Sequence, residues 1–555
     1  MGKRCLIGGD DFAEARKECY LVDKTQFISD FLATRTKVVL FTRPRRFGKT
    51  LTLSMMRYFL DIADAEEHRK LFDGLAVSQD KSAMAEFGKR PVVFLTVKDW
   101  DAVTWKDMQE MIAFGMQNVF QSFAYLLESS AVDAEDKKLF QLVREGRASL
   151  TQLRNSLFLL MRMLDAHHGR PPVLLLDEYD APLQSAWSHG YDQPARAFFR
   201  SFYSLAFKTN PHLDFAILTG VLRIAKESIF SGLNNLRVDS LLSTTYPTVM
   251  GFTAAEVEQM ATDLGHADKT LELRNWYDGY RFAGHEMYNP WSVLNYFYQD
   301  CEPDTYWANT STNAILGELM KRTDAKHIDA LTSLLQGGTL TGFLRDGVIY
   351  DDIGEDEDAL YTMLLTTGYL TVESERRVGN EKEYTLRLPN REMRTLFGIE
   401  VLKRYQKGFS KSALVRLLES MLAGDEYRVQ AGLSRYLEKV ASVFDTAAKE
   451  SFYHGFVLGI VAALEPDYLV RSNREAGYGR YDVAVLPSTP GWNAMILEFK
   501  VADSEDVLEA RAQEALAQID ARDYAEALEA ARPDKVQRYG IAFCGKRVCV
   551  KMGKA

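Results

Sequence analysis

Four apolar runs punctuate the first half of the chain. Residues 38–41 (V-V-L-F) precede T-R-P-R-R-F-G-K-T, and residues 51–61 then read as a helix. Residues 173–176 (V-L-L-L) follow Pro171 and Pro172 and end in D-E-Y-D-A-P, and residues 215–218 end in Thr219 and Gly220. Runs that are apolar at every position belong to strands buried on both faces, as in a parallel sheet covered by helices. A fourth run, residues 247–253, is expected to be the last strand of that sheet, with a helix over 254–264. The second half is patterned differently. Residues 313–335 are mostly helical and stop before Gly337 and Gly338, and residues 366–388 suggest a hairpin turning at Gly379 and Asn380. Residues 410–444 read as a helical connector and 450–464 as a buried helix. Then come a strand at 467–472, an apolar segment at 481–486, the turn residues Pro487, Ser488, Pro490 and Gly491, and a strand at 494–501. Residues 504–531 hold no Gly or Pro and are rich in Ala, Glu and Leu, so they predict a helix before a final strand at 536–543.

Candidate chemistry sits where these elements end. Strand, loop and helix with G-K-[ST] at the junction is the setting of a phosphate-binding loop. Lys49 would reach the β- and γ-phosphates, and Thr50 would ligate Mg2+. The backbone N–H groups of Phe47, Gly48, Lys49 and Thr50 would point at the β-phosphate. The first glycine of G-x-x-x-x-G-K-[ST] falls on Arg43, and Pro44 removes one N–H donor. Asp177, at the end of its strand, would hold Mg2+ through water, and Glu178 would polarise an attacking water. Thr219 could sense a γ-phosphate or be ordinary strand-end polarity. Arg223 could approach the phosphates, and Arg45 and Arg46 could contact phosphate or an acidic neighbour, or be surface charges.

A second constellation lies near the C-terminus, in G-R-Y-D ending at Asp482 and A-M-I-L-E-F-K-V at 494–501. Alternate strand residues share a face, so Glu498 and Lys500 project together and Phe499 points the other way. Pairing the two segments as a hairpin brings Asp482 beside Glu498. Two carboxylates at that range repel unless a cation lies between them, and Mg2+ prefers such oxygen ligands. Lys500 would add positive charge beside the attacking water or the phosphate.

The stretch P-R-R-F-G-K-T together with L-D-E-Y-D resembles the AAA-ATPase-like family of prokaryotic proteins, and residues 11–32, with Y-L-V-D-K-T, look like that family's opening segment. In that family the R-P-R-R-F-G-K-T form is usual. The C-terminal element order with D…E-x-K resembles the PD-(D/E)XK nuclease superfamily. The sequence S-N-R-E-A-G-Y-G-R-Y-D, with Gln518 and Tyr524, looks like the branch fused to AAA-ATPase-like domains. This second resemblance implies a further metal-binding acid from the first helix, for which Glu450 is the candidate and Glu475 the other. Together the resemblances imply ATP and Mg2+ as cofactors and nucleic acid, DNA ahead of RNA, as partner.

At 555 residues the chain is too long for one core. The expected division is an AAA-like P-loop NTPase over 1–253, a mainly helical middle with a winged-helix-like or lid hairpin over 254–445, and an αβββαβ restriction-endonuclease-like domain over 446–555. Hydrophobic content of 46% and charged content of 26% are ordinary for globular domains. No run predicts a membrane span. The opening residues lack a signal peptide's apolar core, and five scattered cysteines suit a reducing compartment, so a cytoplasmic location is expected. A net charge of −10 argues against a uniformly basic coat. The last domain nevertheless carries Arg471, Arg474, Arg480, Lys535, Arg538, Lys546, Arg547, Lys551 and Lys554, which could face substrate or be a solvated surface. The acidic run at 351–358 reads most simply as a solvated loop, and W-Y-D-G-Y (276–280) and Y-N-P-W-S (288–292) as packing aromatics ahead of aromatics that stack on bases. The expected function is an ATP-binding and -hydrolysing protein with a metal-dependent nuclease under ATP control. The alternative is an ATP-gated module that binds nucleic acid or protein and has an inactive nuclease fold. Oligomeric state is open, a homo-oligomer included.

Overall fold

The computed structural model describes residues 8–34, 36–223, 236–309, 331, 333–335, 337–345, 347, 356–405, 411–440, 450–464, 467–476, 479–521 and 531–553. They form two compact units, one built mainly from residues 1–302 and the other mainly from residues 371–555.

The first unit is organised by a five-stranded sheet. Its strands are β1 (Val38–Thr42), β2 (Val92–Thr96), β3 (Val173–Asp177), β4 (Ala216–Gly220) and β5 (Leu236–Asp239), in the order β2-β3-β4-β1-β5. All its pairings are parallel. Successive strand residues supply opposite cores. Val38, Leu40, Leu174, Leu176, Ala216 and Leu218 pack with the helices α2 (Trp105–Ser122), α3 (Ser156–His168) and α4 (Asp192–Phe207). Val39, Phe41, Val173, Leu175 and Ile217 pack with Leu53, Met56 and Phe59 of α1 (Lys49–Leu60). Burial on both faces is why these strands read as unbroken apolar runs. Parallel pairing also places the C-terminal ends of all the strands along one edge, where loops and polar residues gather.

Residues 247–253 correct an expectation. They do not add a strand to the parallel sheet; its outer strand is β5, four residues of mixed polarity. Pro247 lacks a ladder N–H, and Gly251 takes a left-handed φ of 106°, so extended structure starts only at β6 (Phe252–Thr253). That strand joins a separate sheet with β7 (Tyr280–Phe282) and β8 (His285–Tyr288), in the order β6-β8-β7. Helices α5 (Ala254–Asp263), α6 (Thr270–Tyr277) and α7 (Pro290–Tyr298) accompany it. Trp276, Tyr277, Tyr280 and Tyr288 are buried there, so the aromatic motifs are packing residues. Residues 357–366 form a further helix, α8 (Glu357–Thr366), so the acidic run ends inside a helix rather than in a loop; residues 351–355 lie outside the described residues.

In the second unit, β9 (Leu340–Phe343), β10 (Thr371–Val378) and β11 (Glu381–Arg387) make a sheet in the order β10-β11-β9. The expected hairpin is β10–β11, with Gly379 at its turn in the left-handed region. The helices α9 (Lys411–Ala423) and α10 (Glu426–Val440) are tied to a second sheet: Tyr539 Oη donates to the Met421 carbonyl, and Gln430 Oε1 accepts the Val550 N–H. That sheet runs β12 (Tyr468–Ala476), β13 (Gly479–Pro487), β14 (Ala494–Val501), β15 (Val536–Cys544), β16 (Arg547–Met552) in sequential order. Only β14–β15 is parallel, because α12 (Leu508–Asp520) crosses between them. The helix expected over 504–531 is therefore shorter where described, and residues 522–530, with Tyr524, lie outside the described residues. Helix α11 (Glu450–Ala462) covers the face bearing Phe499 and Phe543, through His454 and Tyr453. Helix α12 covers the other face, through Leu516 and Ile519 on Ala484, Leu486, Ala494 and Ile496. No helix among the described residues is long and apolar enough to cross a membrane.

Candidate active sites

At the C-terminal edge of the parallel sheet, three hydroxyls converge on one carboxylate. Thr50 Oγ1 donates to Asp177 Oδ2 (2.9 Å), Thr219 Oγ1 to Oδ1 (2.6 Å), and Thr96 Oγ1 to Oδ2 (3.4 Å). The sheet order explains the meeting: β4 lies between β3 and β1, and Thr96 is in register with Asp177. Asp177 is fully buried, and burial pushes its carboxyl up against the pull of the Thr219 and Thr50 hydroxyls. Thr96 was not singled out by sequence, because nothing marks the end of β2 as chemical.

The loop before α1 places its left-handed residues at Arg46 (φ 68°) and Gly48 (φ 83°), so no glycine is needed at position 43. Gly48 is the N-cap of α1 and makes no side-chain cap bond. The first N–H groups of a helix have no partner within it, which suits that end to an anion. Lys49 is only 4% exposed and donates to the carbonyls of Arg43 (3.1 Å) and Pro44 (3.0 Å). Burial pushes its ammonium down, opposed by Glu178, Asp177 and Asp180. Phe47 contributes only its backbone to this edge, since its ring packs on Tyr280 and Phe282. Arg45 donates to Gln184 and Arg46 stacks 4.1 Å from the Trp291 ring centroid. Arg223 is the last described residue before 224–235.

Glu178 is half-buried and holds a left-handed φ of 53°, an uncommon conformation for a side chain with a Cβ. Its N–H donates to Thr219 Oγ1 (3.2 Å). The next two residues lace β3 to the loop after β4. Tyr179 Oη donates to the Leu222 carbonyl (2.6 Å), and Asp180 Oδ2 accepts the N–H groups of Val221 (3.0 Å) and Leu222 (2.8 Å). A Cβ at Gly220 would lie 2.6 Å from the Tyr179 ring and 2.7 Å from Asp180 Oδ1, so this crossing requires glycine. Burial pushes the Asp180 carboxyl up to about 6. Neither Tyr179 nor Asp180 stood out as a site residue in the sequence, although both belong to the D-E-Y-D motif.

In the second unit, β13 and β14 pair antiparallel with Val483 opposite Leu497. Asp482 is therefore opposite Glu498. The Phe499 N–H donates to Asp482 Oδ2 (2.7 Å), and the Asp482 N–H lies 3.4 Å from Glu498 Oε2. Glu498 is 2% exposed and accepts a hydrogen bond from Gln518 of α12. This contact depends on Gly540, in register with Glu498 on β15. A Cβ there would sit 2.2 Å from the Ala512 carbonyl oxygen and 2.3 Å from the Leu516 nitrogen, so α12 rests directly on the strand. Lys500 shares the face of Glu498 and is half-buried. Behind the strands, buried His454 bonds through Nε2 to the Asp482 carbonyl (2.9 Å), a contact the sequence did not suggest.

The side chains of Glu450 and Glu475 lie outside the described residues, and among those described no three acids, histidines or cysteines group as a metal site. Several members of the basic set are paired: Arg538 with Asp520, Arg547 with Glu505 and Lys551 with Glu509. Arg474 and Arg480 belong to side chains not described, and Lys554 lies outside the described residues.

Residues 6–230 match the profile of a family described as "Predicted AAA-ATPase", and residues 448–552 match that of the PD-(D/E)XK nuclease superfamily. The chain carries an AAA-ATPase-like domain and a C-terminal PD-(D/E)XK nuclease superfamily domain. The parallel sheet lies in the first match and the mixed β12–β16 sheet in the second. Across nearly its whole length the chain is also similar to an "Uncharacterized protein in vnfD 5'region" of Azotobacter chroococcum mcd 1, at 28% identity over 98% of this chain and 96% of the relative.

Proposed function

We propose that the AAA-ATPase-like domain binds and hydrolyses ATP, and that the PD-(D/E)XK domain is a metal-dependent phosphodiesterase that cuts nucleic acid, DNA ahead of RNA, under ATP control. The observation that carries the nuclease reading is the opposition of Asp482 and Glu498 across β13–β14, with Lys500 on the same face. At the first centre, the support is Thr50 bonded to Asp177 beside buried Lys49.

Both centres fit Mg2+ by donor chemistry, since each offers carboxylate oxygens, and a carboxylate has about four lone-pair sites. Thr50 and Asp177 would hold it at the first, Asp482 and Glu498 at the second. When bound, the cation supplies charge neutralisation at a phosphate and a more acidic water. Lys49 and the N-terminus of α1 would hold the β- and γ-phosphates, Glu178 would accept a proton from the attacking water, and Thr219 would orient the Asp177 carboxylate and hold the backbone of Glu178. At the second centre Lys500 would offset charge that develops on the phosphate, and Gln518 would fix the Glu498 carboxylate.

The pairing of Arg538, Arg547 and Lys551 with Asp520, Glu505 and Glu509, which withholds basic charge from a substrate backbone, favours a second reading, a binding module whose nuclease fold does not cut. Incubation of the pure protein with labelled DNA and RNA, with and without Mg2+ and ATP, separates the two. Fragments in Mg2+ support the nuclease; retarded but intact nucleic acid supports the binding module.

A further inference from the structure

Arg43 stands where a phosphate-binding loop of G-x-x-x-x-G-K-[ST] form has its first glycine, and its guanidinium is wholly enclosed. Nη1 donates to the carbonyls of Thr42 (3.0 Å) and Asp239 (2.8 Å). Nη2 donates to Asp239 Oδ1 (2.8 Å) and to the Tyr246 carbonyl (3.0 Å). The rings of Phe41 and Phe282 flank it, with centroids at 5.9 Å and 5.6 Å. Both side chains of the Arg43–Asp239 pair have no exposed surface. On the other side, the Arg43 N–H donates to the Gly220 carbonyl at the end of β4 (3.1 Å). The loop's first residue is thus bolted to β4 and β5 at once.

The consequence falls on Lys49, whose ammonium rests on the carbonyls of Arg43 and Pro44. Pro44 has a fixed φ, which removes one of the dihedrals through which these two carbonyls could turn once the Arg43 backbone is held. A buried ion pair contributes little to stability, because desolvation offsets its attraction. Here Arg43 Nε and Asp239 Oδ2 also lack hydrogen-bond partners among the described residues, which lowers the contribution further. What the pair does supply is geometry.

We infer that Arg43 and Asp239 are positioning residues for nucleotide binding: the pair orients the backbone of residues 43–44, which sets the Lys49 ammonium where the β- and γ-phosphates are taken. The inference rests on the nucleotide reading of the first centre. It makes β5, a strand with no phosphate-binding motif of its own, part of the determinant of ATP affinity.

The test is calorimetric titration of the full chain with Mg-ATP, with a melting curve for each variant. Arg43→Met/Asp239→Leu removes both buried charges but also the donors to the Thr42, Asp239 and Tyr246 carbonyls, so it is expected to melt within a few degrees of wild type, yet to bind ATP roughly ten- to a hundredfold more weakly. Arg43→Gly, which creates the ordinary glycine motif, is expected to weaken binding as well, because it leaves Asp239 buried and alone. Arg43→Lys keeps one charged donor and should fall between these and wild type. Wild-type affinity in the paired variant or in Arg43→Gly overturns the inference and leaves the nucleotide site standing. A paired variant that melts far below wild type assigns the ion pair to folding and also overturns it. Wild-type protein that takes up no ATP overturns the nucleotide reading and the inference with it.

Discussion

Gly540→Ala is a one-carbon change with a calculable effect on the nuclease-like centre. The added Cβ would lie 2.2 Å from the Ala512 carbonyl oxygen, 2.3 Å from the Leu516 nitrogen and 2.8 Å from the Leu516 Cα. These are backbone atoms of one helix, so no side-chain rotation relieves the overlap. Reaching an ordinary contact of 3.4 Å requires α12 and β15 to part by 1.1–1.2 Å, from the difference between 3.4 Å and the two shortest distances. A separation of that size loosens Leu516 and Ile519 on the sheet and draws Gln518 away from Glu498. Overpacking of this kind costs about 1–3 kcal/mol, and the backbone origin of the clash places this case at the upper end. Urea unfolding followed by tryptophan fluorescence should show a lower midpoint with an unchanged slope. Cleavage in Mg2+ should fall with it at temperatures where the variant is still folded. A midpoint equal to wild type would refute the close seating of α12 and with it the account of how Gln518 reaches Glu498.

Thr50→Val keeps the volume of the side chain and removes the hydroxyl that bonds Asp177; it should leave the melting temperature within a few degrees and abolish most Mg2+-dependent ATP binding, read by calorimetry. Asp61, at the C-cap of α1, has its carboxyl pushed up to about 6 by burial. The folded value lies above the unfolded value, so the stabilising effect of this group is complete below about pH 4 and lost as pH rises through about 6. Asp61→Asn should therefore gain on the order of 1–2 kcal/mol relative to wild type at pH 7 and nothing below pH 4, measured by urea midpoints across that range. ATP is expected to change the cleavage rate by roughly five- to a hundredfold, and Lys49→Ala to remove the change; equal rates with ATP, ADP and no nucleotide would leave two independent activities.

The fold was legible where burial and motif agree. Strands β1, β3 and β4 are apolar on both faces and end in chemistry, so periodicity and motif mark the same positions. β2 ends in Thr96 with no motif, and β5 is Leu-Arg-Val-Asp, too short and too polar to announce a strand. Residues 247–253 looked more like a strand than β5 does, since local apolarity says nothing of Gly251's backbone or of which sheet offers a free edge. The opposition of Asp482 and Glu498 followed from a two-residue period and a turn rich in Pro and Gly. The partner of Arg43 could not be read in the same way, because Asp239 lies 196 positions away and the pair exists only once β1 and β5 are neighbours. Tyr179, Asp180 and His454 share that character: their roles lie in backbone groups of distant loops and strands, which no local pattern records.

Asp482 and Glu498 are proposed to form a metal-dependent cutting centre. The direct measurement is the rate at which labelled DNA is cleaved in Mg2+ by wild type, Asp482→Asn, Glu498→Gln and Lys500→Ala, each first shown by its melting curve to be folded. Wild type is expected to cut and to stop when Mg2+ is chelated, the two carboxylate variants to show no detectable cleavage, and Lys500→Ala to lose about a hundredfold or more. Carboxylate variants that cut at the wild-type rate, or a wild-type protein that cuts neither DNA nor RNA with or without ATP, would contradict the proposal.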